Sequence, residues 1–232
     1  MTERNPGQHR ACLMIVVKEP VVGHVKTRLA AGIGAQYALA LYRAFVDDTI
    51  AMARQVPGVD VALVYWPQHA RAYFEALHPD GLLLPQSGRD LGERLLNAFE
   101  QAHAAGYERS VIVSSDSPNL PTAYLALAFE QLAHAPVVLG PCEDGGYYLI
   151  GLRQPQPALF HDIAWSTAVV YQQTVERAAT AHLTVETLPR WYDIDTSADL
   201  DRLYTDLANR PEGVHSATFA VLNTMGKPAT IL

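Results

Sequence analysis

The stretch CLMIVVKEPVVGHVKTRL, residues 12–29, decides the fold predicted for this chain of 232 residues. Its first part, residues 12–17, is continuously apolar, as expected for a strand that is covered on both faces of a sheet. Its second part, residues 18–29, contains a glycine and three cations and leads into a long helical pattern. In an open α/β sheet, ligands bind at the loops that follow the carboxyl ends of buried strands. The stretch therefore predicts an α/β fold with a ligand site at this loop.

The rest of the chain continues this alternation of apolar runs and helical patterns. Strands or extended segments are predicted at residues 12–17, 59–65, 82–84, 109–113, 136–140, 147–151 and 183–188. Helices are predicted at residues 35–55, 67–77, 91–105, 121–133, 167–181 and 197–208. Such alternation produces βαβ units and a mostly parallel sheet. The run at 147–151 follows a strand with no intervening helix, so we expect it to reverse direction or to leave the main sheet.

The domain interpretation is a single domain over residues 11–210. A flexible amino terminus is expected at residues 1–10. The segment 211–232 is predicted to be an extension that packs on the body or on a second subunit, which would make a homodimer. Residues 215–222 within it fit a short strand or a helix equally well.

Composition limits the classes of function. The net charge is −7 at neutral pH, which argues against a general nucleic-acid binder because such proteins need a broad basic surface. No apolar run reaches the roughly 18 residues that a membrane span needs, and the polar amino terminus has no signal-peptide pattern. Cys12 and Cys142 lie far apart without metal-ligand spacing, so we expect a reduced, cytoplasmic setting.

The first candidate site is the loop after the first strand. Lys26 supplies a compact charge and Arg28 a planar fork, and both suit phosphate oxygens. Gly23 permits a tight turn or a close approach to a ligand. We interpret this loop, with Lys18 and Thr27, as the holder of a nucleotide's di- or triphosphate. A solvated basic turn is the alternative.

The second candidate is Asp116, which follows the buried strand at 109–113. A carboxylate at that strand end faces the same crevice as the first loop. A carboxylate beside a polyphosphate makes sense mainly with a divalent cation between them, and Mg²⁺ prefers one or two carboxylates plus phosphates. The alternative is a cap for the helix that begins near Pro121.

Two further acidic clusters complete the predicted site. Asp144 with Gly145 and Gly146 could hold an acceptor or a sugar hydroxyl, or simply form a hairpin turn. Asp193 and Asp195 alternate along an extended segment and share one face. One of them could contact a metal or an acceptor, or cap the following helix.

Two weaker features remain. Gln86, Gly92 and Arg94 belong to a polar loop that runs into a helix, where they could recognise a base or ribose or simply start that helix. Trp165 could line an acceptor pocket or be packed in the core. No GxSxG elbow is present, and no serine has a recognisable base partner.

Taken together, these segments resemble a known family. The matching pieces are KEPVVGHVKTRL (18–29), QSGRDLGERL (86–95), SSDSPNLP (114–121), GPCEDGGYYLIGL (140–152), WST (165–167) and DIDT (193–196). In this order they resemble the DUF2064 family, a bacterial group in the nucleotide-diphospho-sugar transferase (GT-A) superfamily. The first loop and the LGERL segment are also similar to those of 2-phospholactate and molybdenum-cofactor guanylyltransferases.

The resemblance implies a three-layer α/β/α GT-A fold with a central mixed, mostly parallel sheet. It implies a nucleotide held by the first loop and the 86–95 segment, and it places Asp116 where the superfamily has its metal-binding acid. Asp195 is then a companion ligand for Mg²⁺ or Mn²⁺, and Asp116, Asp144 and Asp195 are the expected catalytic acids. Asp144, Trp165 and Asp193, with the paired glycines at 145–146, are the expected acceptor contacts.

Three functional hypotheses follow. The first is a metal-dependent transferase that moves a glycosyl group from a nucleotide sugar to a small-molecule acceptor. The second is a nucleotidyltransferase that joins a nucleoside triphosphate to a phosphorylated small molecule and releases pyrophosphate. The third is a nucleotide-binding protein without catalysis. Binding of nucleic acid is not expected in any of them.

Overall fold

The structure is a computed structural model that describes residues 10–224 of the chain. Within these residues the strands are β1 (Ala11–Lys18), β2 (Val59–Trp66), β3 (Leu82–Pro85), β4 (Arg109–Ser114), β5 (Val137–Pro141), β6 (Tyr147–Leu152) and β7 (Val185–Thr187). The α-helices are α1 (Thr27–Ile33), α2 (Ala35–Ala53), α3 (Arg71–Leu77), α4 (Leu91–Ala104), α5 (Thr122–Gln131), α6 (Val170–Thr180), α7 (Asp199–Ala208) and α8 (Ala217–Thr224). The predicted alternation of strands and helices is therefore confirmed up to β5.

The strands form one mixed sheet in the order β3-β2-β1-β4-β6-β5-β7. β6 runs antiparallel to both of its neighbours, β4 and β5, whereas the other pairs are parallel. The segment predicted to reverse or to leave the sheet thus reverses and stays inside it. The mostly parallel mixed sheet that the sequence predicts is confirmed.

The strand order creates a crevice beside β1. From β1 the chain moves to β2 and β3 on one side, and then returns to β4 on the other side of β1. In open α/β sheets, ligands bind outside the carboxyl ends of the strands at such a reversal of strand order. Residues that follow Lys18 in β1 and Ser114 in β4 are therefore placed at this crevice.

Side-chain alternation along β1 explains the layers. Leu13 and Ile15 point into an apolar cluster with α2, α3 and α5, whereas Cys12 and Met14 point into a cluster with α4 and α6. Successive side chains of a strand point to opposite faces, so a continuously apolar strand requires helices on both. The predicted three-layer α/β/α arrangement is confirmed.

A third apolar cluster lies outside α2, where α1, α7 and α8 pack on its outer side. Residues 217–224 are helical, which settles the choice between strand and helix for this segment. Asp48 of α2 holds the start of α8, because its carboxylate accepts hydrogen bonds from Ala217 N and Thr218 N, both at 2.8 Å.

The division into domains stays a prediction. The predicted flexible amino terminus, apart from Arg10, and the end of the predicted extension lie outside the described residues. No helix within residues 10–224 has the length and apolar character needed to cross a membrane. One helix start was predicted too early, since α6 begins at Val170 and not at Thr167.

Candidate functional site

Two positions determine the conformation of the loop between β1 and α1: Lys18, where it begins, and Gly23, where it turns. Lys18 N donates to the Tyr42 hydroxyl oxygen at 2.7 Å, and this hydroxyl donates to Lys18 O at 3.2 Å. Burial raises the pKa of the Tyr42 phenol, so the proton stays in place for this bond. Gly23 has a φ of 78°, and a Cβ there would meet nothing within 4 Å. Position 23 therefore requires glycine because of its backbone conformation, and not because a side chain would clash with a neighbour.

Lys26 places a buried cation at the carboxyl edge of the sheet. It precedes α1 with φ 48° and ψ 47°, in the left-handed region, and its side chain is only 6% exposed. Its ammonium donates to the Ile194 carbonyl oxygen at 2.7 Å. It also lies 2.5 Å from Asp116 Oδ1 and 3.5 Å from Asp195 Oδ1. Three oxygens, two of them from carboxylates, therefore surround one ammonium group.

Arg28 is the exposed counterpart of Lys26. Its Nη2 lies 3.3 Å from Asp195 Oδ2, and its side chain is 76% exposed. A guanidinium has five N–H donors, so this contact leaves donors that face the cleft. Lys26, Arg28, Asp116 and Asp195 form a group of two cations and two carboxylates, which we call the paired cluster.

Backbone contacts bring the two carboxylates of the paired cluster together. Ile194 N donates to Asp116 O at 2.9 Å, and the Ser117 hydroxyl donates to Tyr192 O at 2.8 Å. These bonds join the loop after β4 to the extended segment before α7. Asp195 therefore reaches the crevice from a part of the chain that no local pattern connects to Asp116.

The paired cluster lines a cleft of about 270 Å³. A second cavity of about 450 Å³ adjoins it, and Lys18 and His24 line both. The other side chains of the second cavity include Glu19, Val21, Trp66, His69 and Arg94. Together the two spaces form a groove that includes the paired cluster in the first cavity and the ring of Trp66 in the second.

Trp66 is a site candidate that the sequence predictions did not include. It ends β2, is 39% exposed, and has the Arg94 guanidinium 5.0 Å from its ring centroid. An exposed indole can stack on a base or another flat ring, and the nearby guanidinium adds a cation–π contact. Its position at the carboxyl end of a buried strand is the signal that could have identified it.

The loop between β5 and β6 carries a second acidic group. Asp144 Oδ1 accepts a hydrogen bond from Gly146 N at 2.8 Å, so the predicted hairpin turn is present. Gly145 has a φ of 92°, and a Cβ there would lie 2.1 Å from Ala168 O. Both the conformation and the close approach of the neighbouring backbone therefore require glycine at 145.

Cys142, Asp144 and Asp193 form what we call the thiol cluster. One ligand-type atom from each residue lies within 4.8 Å of the others, and Cys142 Sγ donates to Asp193 Oδ1 at 3.2 Å. Burial raises the pKa of the Cys142 thiol, and the Asp193 charge raises it further. Burial also raises the pKa of Asp193. The Cys142 thiol and the Asp193 carboxyl group therefore keep their protons to a higher pH than usual.

The donor atoms decide which cluster suits the expected Mg²⁺ or Mn²⁺. These cations prefer oxygen ligands, especially carboxylates and phosphates. Asp116 and Asp195 supply carboxylate oxygens around an existing cation position. The thiol cluster would have to lose a proton from a thiol whose pKa is raised before its sulfur could bind a metal. The paired cluster therefore fits the expected ion better.

The structure gathers the predicted nucleotide-binding residues only in part. Lys18, Lys26, Thr27 and Arg28 line the cleft together with Asp116 and Asp195, and Arg94 lines the adjoining cavity. Gln86, however, is buried, and its side-chain amide donates to Val17 O at 3.3 Å and to Val64 O at 2.9 Å. Its amide thus contacts the sheet backbone, and a role in nucleotide binding stays a prediction.

Gly92 and Trp165 contact each other. A Cβ on Gly92 would lie 2.7 Å from Trp165 Nε1, so the glycine at the start of α4 makes room for the indole. Trp165 lines a separate cavity of about 360 Å³ with Phe160 and Arg89. Its predicted role in binding an acceptor is untested.

Comparison with known proteins identifies the family. The family model described as "Uncharacterized protein conserved in bacteria (DUF2064)" matches residues 49–167. No curated protein matches the sequence. A provisionally assigned nucleotide-diphospho-sugar transferase from Desulfovibrio desulfuricans G20 is 38% identical, with a TM-score of 0.88. The match covers 94% of this chain and 95% of that one.

More distant structures share the fold alone. CMP:2-keto-3-deoxy-manno-octonic acid synthetase, solved with CTP, is 13% identical with a TM-score of 0.51, and 86% and 98% of the two chains are covered. A cytidylyltransferase from Leptospira borgpetersenii is 16% identical with a TM-score of 0.52, over 97% and 99%. The relative that is 38% identical, itself provisionally assigned to nucleotide-diphospho-sugar transfer, supports the prediction of a transferase. By its sequence match and by the relative that resembles it over almost its whole length, this chain is a member of the DUF2064 family.

Proposed function

We propose that the protein is a metal-dependent transferase that moves a glycosyl group from a nucleoside diphosphate sugar to a small-molecule acceptor. The observation that carries the proposal is the paired cluster, in which Lys26 and Arg28 meet Asp116 and Asp195 at the reversal of strand order. Opposite charges gathered there suit a ligand that brings both an anion and a cation. The relative from Desulfovibrio desulfuricans, assigned to nucleotide-diphospho-sugar transfer, supports this choice of chemistry.

The nucleotide lies along the groove formed by the two cavities. Its diphosphate is held by Arg28, which keeps donors toward the cleft, and by Lys26. Its base or ribose occupies the adjoining cavity beside the exposed ring of Trp66 and the guanidinium of Arg94. Charge-assisted hydrogen bonds of this type contribute roughly 1.5–3 kcal/mol each, and stacking on an aromatic ring adds about 1–3 kcal/mol.

Asp116 and Asp195 would hold the divalent cation, which would supply positive charge to offset the charge that develops on the departing diphosphate. The hard carboxylate oxygens fit Mg²⁺ or Mn²⁺. Arg28, which contacts Asp195 at 3.3 Å, fixes the orientation of that carboxylate.

Asp144 acts as the general base for the acceptor hydroxyl. The acceptor oxygen forms a bond to the anomeric carbon of the sugar, the bond from that carbon to the diphosphate oxygen breaks, and the hydroxyl proton passes to Asp144. Asp144 is exposed and is oriented by its hydrogen bond from Gly146 N. Asp193 provides a further hydrogen-bonding group for the acceptor.

The test is release of nucleoside diphosphate from UDP-, GDP-, CDP- and ADP-sugars with Mn²⁺ and a panel of small hydroxyl acceptors. We expect release with one base, its dependence on Mn²⁺, and its loss in Asp116→Asn. Asp162→Asn is the matched control, because Asp162 is an exposed carboxylate that pairs with Arg177 at 3.1 Å. Product formation that is equal in all three proteins would remove the role of Asp116.

The alternative reactions give other products. Pyrophosphate released from a nucleoside triphosphate with a phosphorylated acceptor would indicate nucleotidyl transfer in the same cleft. Thermal stabilisation by a nucleotide, without turnover on any acceptor, would indicate a nucleotide-binding protein. Both assays use the same full-length protein and the same Asp116→Asn variant.

A further inference from the structure

The ammonium of Lys26 is surrounded by oxygen partners. It donates hydrogen bonds to the Ile194 carbonyl oxygen at 2.7 Å and to Asp195 Oδ1 at 3.5 Å, and it forms an ion pair with Asp116 Oδ1 at 2.5 Å. The ring of Phe45 lies beneath it, with its centroid 5.8 Å from Nζ. A phosphate that binds this ammonium must therefore compete with the two carboxylates for it.

The same oxygens are the ones that a divalent cation would take. Carboxylate and carbonyl oxygens are the preferred ligands of Mg²⁺ and Mn²⁺, and the two carboxylates contact the ammonium at 2.5 and 3.5 Å. A divalent cation bound to these oxygens would lie within a few ångströms of Nζ, where like charges repel strongly. The ammonium and the metal therefore exclude each other from this position.

Charge balance leads to the same conclusion. The paired cluster contains two cations, Lys26 and Arg28, and two carboxylates, Asp116 and Asp195, so it is neutral as it stands. A metal alone meets carboxylates that are already neutralised, and a polyphosphate alone meets cations that are already neutralised. A metal and a polyphosphate that arrive together can exchange partners with the cluster, and every charge remains compensated.

The backbone of Lys26 is consistent with a residue that these contacts hold in place. A non-glycine residue in the left-handed region is uncommon, and it persists where the surroundings determine its conformation. Here the surroundings are the three oxygen contacts of Nζ, one of which joins residues that are 168 positions apart in the chain. Removal of these contacts frees the side chain to swing toward the cleft.

We propose that Lys26 is a resident counterion of the metal site, and that the phosphates of the nucleotide draw its ammonium away so that the metal can bind Asp116 and Asp195. The proposal rests on the proposed function, since it uses the same metal and the same diphosphate. It adds that the metal site does not exist until the nucleotide binds. Lys26 changes partners from carboxylate to phosphate during binding, whereas Arg28 contacts the phosphate from the start.

The first test is a titration with Mn²⁺ alone, in which electron paramagnetic resonance measures the concentration of unbound ion. We expect Lys26→Met to bind Mn²⁺ about tenfold or more tightly than the wild type, because a like charge has been removed from the site. Arg71→Met is the matched control, since Arg71 pairs with Glu75 on an exposed helix surface. It should bind Mn²⁺ as the wild type does.

The second test uses inorganic pyrophosphate with EDTA present, so that no metal takes part. Asp116→Asn removes one of the carboxylates that hold the ammonium, and we expect it to bind pyrophosphate roughly three- to tenfold more tightly than the wild type. The gain should be lost in the Lys26→Met, Asp116→Asn double variant, and a gain that persists there would reflect only the removed negative charge. This arm also decides the proposal if Lys26→Met does not fold, which a melting curve reveals.

The outcomes separate this proposal from the proposed function. The role of Lys26 is overturned if the wild type and Lys26→Met bind Mn²⁺ with equal affinity. It is also overturned if pyrophosphate binding by Asp116→Asn is unchanged or weaker. In either case the proposed sugar transfer stands if diphosphate release is still observed. If none of the proteins binds Mn²⁺, even in the presence of a nucleotide sugar that serves as a substrate, both the metal role and this proposal are overturned.

Discussion

Two acidic groups lie at the carboxyl edge of one sheet, and their surroundings differ. The carboxylates of the paired cluster face Lys26 and Arg28, whereas Asp193 of the thiol cluster accepts a hydrogen bond from the buried thiol of Cys142. Burial without a neighbouring cation favours the protonated form of a carboxyl group, and it raises the pKa of Asp193.

This difference indicates a division of work between the two clusters. Carboxylate oxygens beside cations suit a metal and its phosphate, while the exposed carboxylate of Asp144 can accept the proton of a hydroxyl acceptor. Residue type alone does not separate them, because each cluster contains two aspartates. The neighbours of each aspartate make the distinction.

The largest expected effect comes from a matched pair of Asp→Asn changes. We expect Asp116→Asn to lower kcat/KM for the nucleotide sugar by about a hundredfold to a thousandfold, since a group that stabilises the leaving charge is lost. The same variant should lose the Mn²⁺ dependence of nucleotide binding. Asp144→Asn should reduce kcat and keep Mn²⁺-dependent binding. Loss of Mn²⁺-dependent binding in Asp144→Asn would erase the distinction between the clusters.

A smaller effect is expected at Arg28. Arg28→Met removes a contact to the diphosphate, and we expect KM to rise about tenfold while kcat changes little, as for loss of one charge-assisted hydrogen bond of about 1.5 kcal/mol. Steady-state kinetics over a range of nucleotide sugar concentrations measures it. Arg177→Met, which removes an exposed partner of Asp162, serves as the control and should keep the wild-type KM.

The thiol should have little influence on the metal. Because burial and the neighbouring Asp193 charge raise the pKa of the Cys142 thiol, its sulfur stays protonated at neutral pH and is a poor ligand. We expect Cys142→Ser to change the Mn²⁺ concentration for half-maximal activity by less than about twofold. A thiolate-to-metal absorption band on addition of Cd²⁺ at neutral pH, absent in Cys142→Ser, would contradict this.

The smallest expected effect concerns stability and pH. Burial raises the pKa of Asp193 above its ordinary value of 3.8, so the folded protein retains a proton that the unfolded chain releases. The stability that this proton contributes is fully present below the ordinary pKa and is lost as the pH rises through the raised one. We therefore expect Asp193→Asn to be more stable than the wild type at about pH 8, by up to about 1 kcal/mol or about 2–4 °C in Tm.

Thermal melts over a series of pH values measure that difference. The gain should shrink toward about pH 4, where the wild-type carboxyl group is itself protonated. Asp162→Asn, at an exposed position, should show no such profile. A gain in Asp193→Asn that does not vary with pH would mean that packing, and not ionisation, is its cause.

Local pattern predicted most of the strands and helices, but not α1. The apolar run at residues 12–17 indicated a strand covered on both faces, and the missing helix before residues 147–151 indicated a strand that reverses or leaves the sheet. The rule that ligands bind at the carboxyl ends of buried strands also placed Asp116 in the crevice. Each of these depends on neighbours in sequence or on the direction of a strand. The three-layer arrangement was implied by the family resemblance.

Long-range contacts could not be predicted in this way. Lys26 is buried against Ile194, which is 168 residues away in the chain. The pattern of cations in the loop shows how many there are, but not which of them is buried. Gln86 and Gly92 were predicted to contact a base or ribose or to belong to a helix start. In the structure Gln86 bonds to sheet carbonyls and Gly92 makes room for Trp165, and their binding role stays a prediction. Polar or small residues in a loop have the same appearance in either role.

The direction of β6 has a consequence for how relatives of this protein can diverge. Because β6 runs against β4 and β5, residues 142–146 suffice to join β5 to β6 at the edge that carries Asp144. Gly145 is fixed by the close approach of Ala168 O. Cys142 bonds to Asp193 and Glu143 to Trp191. The exposed Asp144 is therefore the position of this link whose replacement disturbs the sheet least. Natural variation at this position can therefore alter the choice of acceptor while the phosphate-binding loop is inherited unchanged.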